Sequence, residues 1–231
     1  MLGRVLDVTT STLSSGLTLG RGLRARITAR QPAVLLELYE FESCPFCRKV
    51  RETLSELDLD AKIFPCPPGG TRFRPVAIER GGKKQFPFLV DPNTGRELYE
   101  SDEIIRYVST EYADGVVSLA QRMGPLTALR AGLGSLPRAG RVHVVPSKAP
   151  ASPLELWSFE ASPFCRIVRE ALCNLELPYV LHNVAKRSTK REAFVARSGK
   201  MMVPFLHDPN TKTSLFESAD IVRYLEDTYR A

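Results

Sequence analysis

The chain has 231 residues, 43% hydrophobic and 25% charged, with a formal net charge of +6. No stretch reaches the roughly 18 uninterrupted apolar residues of a membrane-spanning helix, and the aliphatic and aromatic content is too high for a disordered chain. Five cysteines are too few and too scattered for a disulfide-stapled secreted scaffold. The basic excess sits in residues 1–35 and 114–153, while the remainder is close to neutral. A nucleic-acid-binding protein concentrates its charge on the folded body, so nucleic acid is not expected as a partner.

Residues 1–33 form a basic leading segment rich in Arg, Ser, Thr and Leu. That composition is similar to an organelle transit peptide. Yet Leu126-Thr-Ala-Leu-Arg-Ala-Gly-Leu133 repeats the style of Leu17-Thr-Leu-Gly-Arg-Gly-Leu23. A transit peptide would not be duplicated inside the chain, so residues 11–27 or so are read as structural. Residues 34–39 follow as a buried strand. A helix is expected over 45–58, with Pro45 in its first turn and Val50, Leu54 and Leu57 at helical spacing. A strand at 61–64 and a short helix at 72–80 come next. Strands at 86–90 and 97–99 flank the turn-forming run Asp91-Pro-Asn-Thr-Gly95, which predicts a hairpin. Ser101 is expected to cap a last helix that turns Ile104, Ile105 and Val108 inward. Residues 34–113 thus form one unit, 114–152 a basic linker with a short helix, and 153–231 a second unit.

The second unit repeats the first. Ser43-Cys-Pro-Phe-Cys-Arg-Lys-Val-Arg-Glu52 returns as Ala161-Ser-Pro-Phe-Cys-Arg-Ile-Val-Arg-Glu170. Phe86-Pro-Phe-Leu-Val-Asp-Pro-Asn-Thr94 returns as Val203-Pro-Phe-Leu-His-Asp-Pro-Asn-Thr211, and Leu98-Tyr-Glu-Ser101 as Leu215-Phe-Glu-Ser218. Three motifs in one order establish a duplication.

A strand, then Cys-Pro-Phe-Cys opening a helix, then Phe-Pro before a hairpin, then Glu-Ser at a helix start, resembles the thioredoxin-like domain of glutaredoxins and, more closely, the N-terminal domain of glutathione transferases. The whole chain resembles plant, algal and cyanobacterial proteins with two such domains in tandem. The resemblance implies an α/β fold of two domains, each a four-stranded mixed sheet flanked by helices. It also implies glutathione as the ligand, a cis peptide before Pro87 and before Pro204, and a chloroplast location with a cytoplasmic one as alternative. A glutathione transferase follows this domain with a helical domain; here a second copy takes its place, which sets the chain apart from that enzyme class.

The residues carry a chemistry of their own. Cys44 before a helix, with Cys47 in its first turn, meets free backbone N–H groups and the positive end of the helix dipole, which favour a thiolate. Cys44 is therefore the candidate nucleophile and Cys47 the resolving thiol; the other reading makes Cys47 a small core residue. Arg48, Lys49 and Arg51 are candidates for adding to the thiolate's stabilisation. Cys66, Cys165 and Cys173 supply no second ligand pair for zinc, so no metal is expected. In the family an iron–sulfur cluster shared between two chains and glutathione is a further alternative.

The resemblance gives Phe86 and Pro87 the cysteinyl part of glutathione, and Glu100 and Ser101 its γ-glutamyl end. A serine hydroxyl with helix N-terminal N–H groups suits a carboxylate, and a glutamate suits an ammonium; a plain helix cap is the other reading. The second-unit equivalents are Ser162, Cys165, Val203, Pro204, Glu217 and Ser218. With Ser162 in place of Cys44, dithiol chemistry within that unit is excluded. Ser162 donating to a glutathione thiolate, Cys165 as a lone thiol, and a silent packing unit remain open.

Arg106 and Arg223 are read as pairing with nearby acids, His143, His182 and His207 as structural or solvated, Trp157 as core or a subunit contact, and Cys173 as buried. Cys66 is a lesser candidate for a third redox thiol. Three functions follow as expectations. The first is a glutathione-binding thiol–disulfide oxidoreductase or transferase-like protein active in the first unit only, with glutathione or a protein disulfide as partner. The second is a non-catalytic subunit of a larger complex, with peripheral membrane or complex docking through residues 1–31 and 116–141. The third, resting only on the Cys-Pro-Phe-Cys stretch, is an isomerase similar to prostaglandin E synthase type 2.

Overall fold

The computed structural model describes residues 8–12, 21–26, 29–115 and 140–231. The expected short linker helix and much of the two basic segments lie outside the described residues. The first unit runs β1 (Leu36–Glu40), α1 (Pro45–Glu56), β2 (Ala61–Pro65), α2 (Arg74–Gly81), β3 (Phe88–Asp91), β4 (Arg96–Leu98) and α3 (Ser101–Tyr112). The second runs β5 (Leu154–Ser158), α4 (Pro163–Asn174), β6 (Tyr179–Asn183), α5 (Arg191–Ser198), β7 (Phe205–Asp208), β8 (Thr213–Phe216) and α6 (Ser218–Tyr229).

Each unit holds the expected four-stranded mixed sheet, β4-β3-β1-β2 in the first and β6-β5-β7-β8 in the second, and the two join edge to edge into one eight-stranded sheet. The reason is the edge problem: β2 would otherwise expose a row of unpaired backbone groups. It pairs antiparallel with β6 as Ala61↔Leu181, Lys62↔Val180 and Ile63↔Tyr179. Val180 is the repeat equivalent of Lys62, so a pseudo-twofold axis passes through that pair. The two copies meet as the halves of an isologous dimer do.

One buried apolar cluster crosses this axis, with Leu36, Leu38, Leu54 and Ile63 continuous with Leu154, Leu156, Val168 and Leu172. Smaller aromatic clusters lie elsewhere in each unit. Tyr39 stacks on Phe64 at 4.7 Å in the first, and the equivalent Trp157 stacks on His182 at 4.3 Å in the second. Trp157 is thus core. The chain leading into each unit is anchored alike: Arg30 N–H donates to the Tyr112 carbonyl and Lys148 N–H to that of Tyr229.

The hairpin motif does more than turn. Asp91 is fully buried, and its Oδ2 accepts the hydroxyls of Tyr107 and Tyr112. Its Oδ1 accepts Asn93 N–H and Nδ2, each at 2.8 Å. Asp208 repeats this with Tyr224, Tyr229 and Asn210. Burial alone would raise the Asp91 carboxyl, and these hydrogen bonds hold it below the usual range. Asp91→Ala strands the buried Tyr112 hydroxyl and removes the acceptor of the half-buried Tyr107 and the exposed Asn93, so a loss of about 2–3 kcal/mol is expected in urea unfolding. Asp208→Ala should cost a similar amount, whereas Glu103→Ala, in an exposed pair with Arg106, should stay within about 0.5 kcal/mol.

Candidate functional site

Cys44 is the N-cap of α1, in extended backbone at φ −77° and ψ 121°. Pro45 fits the first helical position because its missing N–H has no intrahelical partner there and its φ is preset. The Cys44 Sγ accepts Cys47 N–H at 3.3 Å. The Phe86–Pro87 bond is cis, and the Phe86 carbonyl oxygen faces the Cys44 Sγ at 3.9 Å. The hydrogen bond from the Cys47 side chain, with the backbone N–H groups of Cys47 and Phe46, lowers the Cys44 thiol from its ordinary value despite burial. Only 4% of Cys44 is exposed, so an incoming disulfide must displace neighbouring side chains. Phe46, 49% exposed beside it, and Arg74, whose guanidinium sits 4.5 Å over the Phe86 ring, are the groups at hand.

Cys47 is fully buried, and burial followed by the Cys44 neighbour pushes its thiol well up. It points into the core. Both cysteines are unpaired thiols here. Cys66 and Cys173 are buried too, and burial raises both. Among the described residues no group of three His, Cys, Asp or Glu side chains is arranged for a metal ion.

The cationic residues after Cys47 do not serve the thiolate. Arg48 pairs with Glu52 at 3.2 Å, Lys49 with Asp102 at 2.6 Å, and Arg51 with Glu40, Glu42 and Glu160. A helix start leaves its first donors free, and here those donors act on the sulfur together with the Cys47 thiol.

Ser101 is not the helix cap the sequence suggests. Glu100 is the cap residue, at φ +64°, and Ser101 is the first helical residue, 4% exposed. The left-handed backbone at Glu100 turns the chain sharply out of β4, and Gln85 Nε2 donates to the Glu100 carboxylate. Phe86, Pro87, Glu100 and Ser101 are thus linked through Gln85, the residue before the cis bond, a connection the sequence reading missed.

The second unit repeats the geometry with one atom changed. Ser162 caps α4, and its Oγ accepts Cys165 N–H at 3.2 Å. Val203–Pro204 is cis, and Glu217 has φ +66°. A cavity of about 260 Å³ is lined by Phe164, Met202, Val203, Pro204, Glu217 and Ser218. The structure therefore brings Val203, Pro204, Glu217 and Ser218 together, while Cys165 is fully buried and turned away from that function. Phe164 and Met202 were missed. The signal for Phe164 was the Pro-Phe pair shared by both helix starts, which leaves a large apolar side chain facing solvent. Met202 stands where the first unit has Gln85, so the amide contact to the glutamate is not repeated.

The remaining candidates are structural. Arg106 and Arg223 pair with Glu103 and Asp220 at i,i+3. His182 Nδ1 lies 3.2 Å from Asp60 Oδ2, and His207 Nδ1 2.9 Å from Ser214 Oγ. His143 is bound through its backbone N–H to Asn174. No helix among the described residues is long and apolar enough to cross a membrane.

A duplicated strand–helix–strand–helix–hairpin–helix unit, with a helix-capping Cys or Ser beside a cis-proline, defines a pair of thioredoxin-like domains. Residues 38–115 and 156–231 each match the glutathione S-transferase N-terminal domain family, and the chain belongs to that family. Among solved structures it is similar to a trimeric glutathione transferase of Leishmania, TDR1, at 16% identity and a TM-score of 0.29, over 83% of this chain and 68% of that one. No curated protein matches it.

Proposed function

We propose that the first unit is a glutathione-dependent thiol–disulfide exchange centre with Cys44 as nucleophile, and that the second does no thiol chemistry. The observation that carries this is the Cys44 sulfur at the α1 N-cap, accepting Cys47 N–H at 3.3 Å with its thiol lowered. In the first step the Cys44 thiolate attacks the glutathionyl sulfur of a mixed disulfide. The S–S bond breaks, and the leaving thiolate takes a proton from solvent. Glutathione thiolate then attacks the Cys44–glutathione disulfide, giving oxidised glutathione and restoring Cys44.

Cys47, buried and with its thiol raised, is a poor second attacker, since exchange depends on the thiolate and on access. The resolving role expected of it passes to glutathione. Phe86, Pro87, Glu100 and Ser101 are the residues that would hold glutathione, and Val203, Pro204, Glu217 and Ser218 those that would bind it without reaction. The buried side chain of Ser101, beside Glu100 at the helix start, offers a hydroxyl and free N–H groups to a carboxylate, so the residues fit the ligand.

The test is turnover of a glutathionylated peptide by the full chain with glutathione and a reductase couple. Saturable turnover is expected. Its absence, together with no glutathione binding by calorimetry, would overturn the proposal.

A second reading is favoured by the near enclosure of Cys44: a non-catalytic subunit of a larger assembly, in a chloroplast or the cytoplasm. It predicts co-purification with a complex that Cys44→Ser leaves intact.

A further inference from the structure

A further cleft lies away from the cysteine. Of about 440 Å³, it lies where the leading segment crosses between the two units, lined by Gly22, Leu23, Arg24, Ala25, Arg26, Glu56 and Arg187. Glu56 ends α1 and Cys44 begins it, so about 18 Å of helix separates the two places.

Three arginines from two chain segments border this cleft. Arg26 lies 3.8 Å from Glu56, a carboxylate also 3.6 Å from the buried Arg21. Arg24 and Arg187 are exposed, and neither has a carboxylate partner among the described residues. Their backbones are fixed in advance. Ala25 N–H donates to the Lys186 carbonyl at 2.7 Å, Lys186 N–H to that of Leu23 at 2.9 Å, and Arg26 N–H to that of Glu56 at 2.8 Å. Ser188 anchors the far side of Arg187 through its hydroxyl on Asp58 at 3.0 Å. Arg187 itself is held at φ +71°, the third residue of a turn that Ser188 N–H closes on the Ala185 carbonyl at 3.0 Å, so its place at the cleft is fixed while its side chain stays exposed.

We propose that this cleft binds the phosphate group of a small, non-aromatic metabolite, gripped by Arg24, Arg26 and Arg187. Planar guanidinium forks match phosphate oxygens two at a time, which isolated lysines do not. The cleft exceeds the size of an inorganic ion. Among the described residues its apolar side chains are Leu23 and Ala25, and none of them offers a ring for a base to stack on. A short hydroxylated phosphate ester fits that combination. The fixed backbone lowers the ordering cost of binding.

The test is calorimetry on the full chain with glycerol 3-phosphate, inorganic phosphate and glycerol, at constant ionic strength set by sodium chloride. One saturable site is expected for both phosphates and none for glycerol. Tighter binding of the ester assigns the site to a metabolite, and equal binding assigns it to free phosphate; either supports the phosphate grip. Arg24→Gln and Arg187→Gln should each weaken binding at least about tenfold with an unchanged melting curve, since both side chains are exposed. A non-saturating response, or variants that titrate like the native chain, would overturn the proposal.

Discussion

Cys44→Ser is expected to reduce glutathione-dependent exchange to the uncatalysed background, a loss of at least ~10³-fold or about 4 kcal/mol of transition-state stabilisation. Cys47→Ser should stay within about tenfold of the native rate. The difference follows from position within one turn of α1. Cys44 is the cap and meets free N–H donors; Cys47 is fully buried on the core side of the helix. Serine at position 44 keeps the cap, because Ser162 already does so in the second unit with the equivalent bond, at 3.2 Å. The variant should therefore fold normally, and the loss reads chemistry alone. The native rate should titrate on the acid side of a free thiol, whose usual value is about 8.5, since the thiol is lowered. Equal loss in both variants, or a rate that rises only above that value, would sink the single-thiol mechanism.

The parts of this site that the sequence made legible are local. Cys-Pro at a helix start, Phe-Pro before a strand and Glu-Ser after one each fix their geometry within a few residues, and duplication displayed each of them twice. What escaped was geometry set at a distance or by backbone sign. Ser101 is a good capping residue by type, but Glu100 at φ +64° moves the helix start by one position. Asp91-Pro-Asn-Thr reads as a turn, yet Asp91 also gathers two tyrosines from α3. Arg48, Lys49 and Arg51 lie next to the cysteines in sequence, so they suggest help for a thiolate. Their partners come from elsewhere in the fold, and Arg51 finds Glu160 from the other unit, 109 positions away. The recurrence of Glu42 as Glu160, Arg48 as Arg166 and Arg51 as Arg169 was visible in the repeat. Only the antiparallel meeting of β2 and β6 turns that recurrence into pairs crossing the axis.

That crossing predicts the largest stability effect. Glu160 accepts Arg51 Nε at 3.0 Å and lies 2.9 Å from Arg169 Nη2. Its counterpart Glu42 accepts Arg169 twice, at 3.0 Å each, and lies 3.2 Å from Arg51. All four are buried. Glu160→Gln leaves two buried guanidinium groups short of charge, so a loss of about 3–5 kcal/mol is expected in urea unfolding, with Glu42→Gln similar. The cluster departs from symmetry at one place: Glu40 contacts Arg51, where Ser158 contacts Arg169. Burial raises the Glu40 carboxyl to about 7. For Glu160, burial acts upward too, but Arg169 and Arg51 outweigh it and bring the carboxyl to about 2. The signs are opposite. Glu160 contributes stability present above the unfolded value of about 4.3 and lost as pH falls towards 2. Glu40 contributes stability present in full below about 4.3 and lost as pH rises through 7. Glutamine imitates a protonated Glu40, so the stability of Glu40→Gln relative to the native chain should rise by at least about 1 kcal/mol between pH 5 and pH 8. Unfolding curves at the two pH values decide both points: a Glu160→Gln loss below about 1 kcal/mol, or a relative stability of Glu40→Gln that does not rise between them, would show that these charges do not hold the two units together in this way.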